Sequence, residues 1–110
     1  MGSGDEPTIA PLVHASRDAL AALCRRYGVR RLDVFGSAAS GGLDEDSDLD
    51  FLVAFADLGP GEYAPCYFGL LSALRALYGR PVDLVMASAI DNPYFLESVE
   101  STRVLLYDAA

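Results

Sequence analysis

Two short motifs in this chain have the residue types and the spacing to handle phosphate and metal. Gly36-Ser37 closes the apolar run Leu32-Asp33-Val34-Phe35. Ten residues later, Asp48-Leu49-Asp50 opens a second apolar run, Phe51-Leu52-Val53-Ala54-Phe55. Both runs have strand composition. A strand that ends in Gly-Ser can aim backbone N–H groups and a hydroxyl at a phosphate. Taken alone, the same dipeptide also fits a strand-ending turn with a serine helix cap. Asp48 and Asp50 stand two apart on a strand, so both carboxylates project from one face. Adjacent carboxylates repel unless a cation lies between them. The arrangement points to Mg²⁺, held by one or two carboxylates together with substrate phosphates.

The elements that must position these motifs can be read along the chain. Residues 1–8 read as a flexible tail, and Met1-Gly2-Ser3-Gly4 resembles a cloning remnant. From Ile9 to Tyr27, Leu12, Ala19, Leu20 and Leu23 recur at helical spacing, and Gly28 is a natural stop. A first strand is expected over Arg31–Phe35 and a second over Asp48–Phe55. Leu49, Phe51 and Val53 then share the face opposite the two aspartates and should meet a helix layer. Between the strands, residues 37–41 read as a short helical turn and 42–47 as a loop.

Phe68, Leu71, Leu74 and Tyr78 form one apolar stripe on a helix from Glu62 to Tyr78, which Gly79 ends. Pro81 forces an extended entry into a third strand, Val82–Val85. Asn92-Pro93 places proline in the first turn of a last helix, to about Glu100, and Val104–Tyr107 reads as a last strand. The order α-β-β-α-β-α-β implies an α/β (α+β) fold, a mixed sheet with helices packed on it, in one domain over 9–110. Tyr94, Phe95 and Tyr107 are expected in the core or at an interface.

The chain has 110 residues and a formal net charge of -8, and all eight basic residues are arginine. Such acidity opposes non-specific binding to a phosphate backbone, so no direct nucleic-acid binding is expected, even from Arg25-Arg26 or Arg30-Arg31. It suits a basic protein partner. It leaves room for a nucleotide, because a bound divalent cation reverses the local sign. Asp44, Glu45 and Asp46 read as a solvated acidic loop. No apolar run reaches the roughly 18–20 residues of a membrane span. Cys24 and Cys66 form no metal motif and read as free thiols of a cytoplasmic protein. His14 lacks any partner pattern and reads as a surface or partly packed side chain.

Gly36-Ser37, Asp48-x-Asp50 and a later strand-borne Asp83 together resemble the signature of the DNA polymerase beta-like nucleotidyltransferase superfamily. The likeness is to its shortest form, the minimal nucleotidyltransferase (MNT) domain, and it covers nearly the whole chain. Asn92-Pro93-Tyr94-Phe95-Leu96 and Val104-Leu105-Leu106-Tyr107 also resemble the ends of MNT domains. The resemblance implies that Asp48, Asp50 and Asp83 are catalytic carboxylates holding two Mg²⁺ ions. Asp83 would serve the catalytic ion and act as general base, and Gly36 and Ser37 would cradle the triphosphate of ATP.

It further implies an antitoxin of the HEPN/MNT type, working with a HEPN ribonuclease toxin in a hetero-oligomer. Such an antitoxin moves AMP from ATP to a tyrosine of the toxin. One feature departs from the family pattern Gly-Ser-x-Ala-Arg-Gly. Ala38 and Ser40 stand where basic residues are usual, which removes positive charge from the loop; Arg75 or Arg80 could supply it instead. The alternatives are an antitoxin that masks the toxin by binding alone and a nucleotidyltransferase acting on a small molecule. The latter is disfavoured because such enzymes carry an extra helical domain.

Overall fold

The computed structural model describes residues 13, 15–36 and 48–109. Their element order is α1 (Arg17–Arg26), β1 (Val29–Phe35), β2 (Leu49–Phe55), α2 (Tyr63–Tyr78), β3 (Val82–Met86), a 3-10 turn (Ala87–Ala89), α3 (Pro93–Thr102) and β4 (Val104–Asp108). This is the order expected from the sequence. The strands form one sheet in the order β3-β2-β1-β4. β1 is antiparallel to both β2 and β4, whereas β2 and β3 are parallel. A parallel pair cannot be joined by a tight turn, and α2 supplies the crossover.

Alternation along the strands separates two faces. Leu49, Phe51 and Val53 are fully buried, as are Leu32 and Val34 beside them. They pack with Leu20 and Cys24 of α1 and Leu70 and Leu74 of α2, which is the helix layer the alternation called for. On the other face a smaller cluster joins Phe35, Leu52 and Val99 of α3, with Val85, Ala87 and Ile90 around it. One face thus carries two helices and the main core, and α3 covers part of the other.

Several boundaries differ from the sequence reading for identifiable reasons. β1 starts at Val29, because Val29 pairs with Phe55 across an irregularity before Arg31. β3 extends to Met86, which pairs with Val53, and β4 to Asp108, which pairs with Arg31. Val13 is helical and fully buried, and a turn at Ser16 precedes α1. Residues 1–12 and His14, on which the expected tail and helix start rest, lie outside the described residues. α3 opens as expected: Asn92 Oδ1 accepts the N–H groups of Tyr94 (2.9 Å) and Phe95 (3.3 Å), with Pro93 in the first turn. Gly79 ends α2 in the left-handed conformation at φ 63°.

The α2 stripe needs correction. Leu70 and Leu74 are the fully buried residues, with Tyr67, Leu71 and Tyr78 partly buried beside them, while Phe68 is 62% exposed. Phe68 stands two residues, roughly 200°, from Leu70 around the helix, so both cannot face the sheet. The terminal aromatics also divide. Tyr107 packs against the main core, Phe95 and Phe35 pack edge to face with ring centroids 6.0 Å apart, and Tyr94 is 83% exposed and lies outside the core. Among the described residues no helix is long and apolar enough to cross a membrane. Cys24 and Cys66 are both free, and burial pushes the Cys24 thiol up to about 12, against a smaller opposing pull from Arg25.

The stripe has a direct consequence for stability. Leu74→Ala should cost about 2–5 kcal/mol, and Phe68→Ala no more than about 0.5 kcal/mol. Chemical denaturation of both variants measures this; equal losses would contradict the assignment of the buried face.

Candidate active site

The carboxylates meet because of strand register. Asp50 of β2 is the direct partner of Asp83 of β3, and Leu49 pairs with Val82. In a parallel pair, side chains at one register position project from the same side, and neighbouring strands lie roughly 4.8 Å apart. Asp48 immediately precedes β2, two residues before Asp50. All three aspartates therefore stand at the N-terminal ends of two adjacent parallel strands. The pairing is extended by Leu49 N–H, which donates to the Pro81 carbonyl at 3.1 Å. Tyr67 Oη donates to the Leu84 carbonyl at 2.6 Å and ties α2 to the strand that carries Asp83.

Asp48 and Asp83 are exposed, while Asp50 is half-buried. Burial raises the Asp50 carboxyl to about 6, and the negative charges of Asp83 and Asp48 push in the same direction. The three side chains thus share one field. Among the described residues, no group of three or more His, Cys, Asp and Glu side chains is gathered closely enough to form a metal cage. The donor set is nevertheless all hard oxygen with unrelieved negative charge. That suits a small divalent ion that keeps waters and arrives with a nucleotide's phosphates rather than one bound by protein alone.

Gly36 follows β1 directly and has φ 72°. A Cβ there would lie 2.7 Å from Asp50 Oδ2, so any side chain would displace the carboxylate as well as strain the backbone. The Gly36 N–H donates to Thr102 Oγ1 at 3.1 Å. It is therefore turned toward α3, contrary to the simple picture of a phosphate-facing donor. What Gly36 contributes is close backbone approach to Asp50. Ser37, Ala38, Ser40 and the acidic run Asp44-Glu45-Asp46 lie outside the described residues.

Sequence reasoning missed a buried ionic group on the same side of the sheet. Asp33 is 1% exposed. Its Oδ1 accepts from Arg31 Nε at 2.9 Å and its Oδ2 from Arg103 Nε at 3.0 Å, and Arg103 also reaches Glu100 at 2.6 Å. Burial alone would raise the Asp33 carboxyl, but the hydrogen bonds from Arg103 and Arg31 outweigh it and hold the group below the usual carboxylate range. The available signal was an aspartate inside an apolar strand, a placement that needs a partner. Arg31 thus has an intramolecular role. Elsewhere, a hollow of about 380 Å³ is lined by Val53, Phe55, Tyr63, Met86 and neighbours, at the opposite end of β2 and β3. Its size does not make it the site, because none of the described residues lining it is charged.

Paired aspartates on adjacent parallel strands, beside a glycine turn with no room for a side chain, have the donor chemistry to take a hard cation together with a phosphate ester. The comparisons narrow the class. The model of the nucleotidyltransferase domain family matches residues 16–106, and the chain belongs to that family. It is similar to the protein adenylyltransferase MntA of Thermococcus cleftensis, at 44% identity over 68 residues, covering 62% of this chain and 66% of the relative. A solved structure assigned as a minimal nucleotidyltransferase matches with TM-score 0.69 and 39% identity, over 84% of this chain and 90% of that one. A chain from the complex of a tri-AMPylated HEPN toxin of Shewanella oneidensis with an MNT antitoxin shares the fold. Its TM-score is 0.60 at 18% identity, over 88% of this chain and 73% of that one.

The raised Asp50 carboxyl predicts a pH-dependent stability. A group whose folded pKa lies above its unfolded value adds stability below the unfolded value, near 3.8, and loses it as pH rises through about 6. Asp50→Asn removes this loss. The metal-free variant should therefore gain on wild type between pH 4 and pH 7.5, by about 1 kcal/mol after allowance for solvent screening, or several degrees in Tm. Thermal melts of both proteins across that range test it; a difference independent of pH would contradict the raised Asp50 carboxyl.

Proposed function

We propose that this chain transfers AMP from ATP to a tyrosine hydroxyl of a HEPN ribonuclease toxin and so neutralises it, as the antitoxin of a toxin–antitoxin pair. The observation that carries the reading is the register of Asp50 with Asp83, with Asp48 beside them and Gly36 against Asp50. The adenylyltransferase name of the Thermococcus relative and the AMPylated toxin in the Shewanella complex support the choice of AMP and of a protein acceptor. A net charge of -8 suits a basic partner surface, in a hetero-oligomer formed in the cytoplasm.

In this reading Asp48, Asp50 and Asp83 would hold Mg²⁺, two ions by the resemblance, which neutralises triphosphate charge and lowers the pKa of the attacking hydroxyl. The chain's own contribution is placement. Asp48 and Asp50 fix the nucleotide end of the site from β2, and Gly36 lets the backbone approach it. Asp83, on the neighbouring strand, accepts the acceptor's proton. The tyrosine oxygen bonds to the α-phosphorus of ATP, the bond to the β,γ-phosphates breaks, and pyrophosphate leaves with the electron pair. Most of the rate then comes from alignment and charge stabilisation.

Ala38 and Ser40 favour one second reading, in which the protein masks the toxin without chemistry, because the usual basic loop residues are absent. Substoichiometric antitoxin incubated with its HEPN partner, ATP and Mg²⁺ separates the two. Transfer predicts that an excess of toxin gains one AMP mass per modified tyrosine and loses ribonuclease activity, and that Asp48→Asn with Asp50→Asn abolishes both. Unmodified toxin, silenced only at full stoichiometry and equally well by the double variant, would leave the masking reading.

A further inference from the structure

Two successive residues at the end of α3 grip β1 just before and at the glycine turn. Arg103 Nε donates to Asp33 Oδ2 at 3.0 Å, and Thr102 Oγ1 accepts the Gly36 N–H at 3.1 Å. The Thr102 hydroxyl has little freedom. Its proton goes to the Ser98 carbonyl at 3.2 Å, which leaves a lone pair for Gly36. Gly36 is thereby held between the hydroxyl on one side and Asp50 Oδ2 on the other, where even a Cβ would not fit. Behind this contact the helix end is anchored. Asp33 is buried between two guanidiniums, and β4 leaves the helix at once to pair Val104 with Val34.

We propose that Thr102 is a positioning residue of the nucleotide site. In this role it acts through the Gly36 peptide and not by direct contact with nucleotide or metal. By fixing the Gly36 peptide it sets how closely the backbone abuts Asp50. The proposal rests on the nucleotidyltransferase reading given above. Physically, it makes the last turn of α3 the reference against which the phosphate end of β1 is aligned. Arg103 and Asp33 keep that turn in place, and Thr102 transmits its position to Gly36.

Three proteins test this: wild type, Thr102→Val and Thr102→Ser. Valine keeps the shape and removes both hydrogen bonds, while serine keeps the hydroxyl. Calorimetric titration with Mg²⁺ and ATP, amide hydrogen exchange at Gly36 and thermal melts are read on each. The expected result for Thr102→Val is an affinity for Mg·ATP lower by about fivefold to tenfold, the value of one ordinary hydrogen bond, and faster exchange at Gly36. Thr102→Ser should restore both to within about twofold of wild type. If the valine variant does not fold, Thr102→Ala replaces it. The proposal fails if the valine variant binds Mg·ATP as wild type does, or if serine is no better than valine. Wild type that binds no Mg·ATP would instead sink the nucleotidyltransferase reading, and the positioning role with it.

Discussion

The parallel pairing of β2 with β3 is the constraint on which the rest of the structure depends. It places Asp50 opposite Asp83 and leaves Asp48 at the mouth of the same strand. Like charges brought together in this way oppose folding, so the pairing must be held by something else. Leu49, Phe51 and Val53 on the reverse face provide it, buried against α1 and α2, together with Val82 and Leu84 from the neighbouring strand. Burial of apolar area contributes roughly 25 cal/mol per Å², so a few such side chains readily outweigh the repulsion of half-exposed carboxylates. The alternation of β2 therefore has two roles: one set of residues secures the register, and the other uses it.

The two aspartates on the inner strands face opposite environments on the same side of the sheet. Asp33 lies between Arg31 and Arg103 and is held in its charged form. Asp50 lies beside Asp83 and Asp48 and is driven toward protonation. The first is a satisfied structural ion group, costly to break because removing one partner leaves a buried charge. The second has only like charges acting on it among the described residues, an arrangement that a cation and phosphates could complete. α3 connects them, since its last residues bind Asp33 and the glycine turn that lies against Asp50.

Much of this was legible in the sequence because local rules governed it. The order of elements followed from apolar period and from Gly79, Asn92 and Pro93, whose backbone preferences do not depend on distant contacts. The face assignment of Leu49, Phe51 and Val53 followed from strand alternation. What depended on pairing was harder to see. The start of β1 at Val29 is set by Phe55, and Phe68 could be separated from the buried α2 stripe only once the sheet's position was known. Asp48, Asp50 and Asp83 were visible as candidates through residue type and resemblance, but their adjacency required the β2–β3 register. Thr102 and Arg103 gave no local signal, because their partners lie about 70 residues away.

The central claim is that register joins aspartates from two strands into one nucleotide-dependent cation site. Electron paramagnetic resonance of Mn²⁺, titrated with and without a non-hydrolysable ATP analogue, tests it most directly on wild type, Asp50→Asn and Asp83→Asn. The account predicts weak Mn²⁺ binding by the protein alone and clear binding by wild type with the analogue. It also predicts that each single variant loses most of that binding, although the residues lie 33 apart in sequence on different strands. Retention of wild-type Mn²⁺ and nucleotide binding by Asp83→Asn together with loss in Asp50→Asn would contradict a shared site, as would binding that ignores the nucleotide.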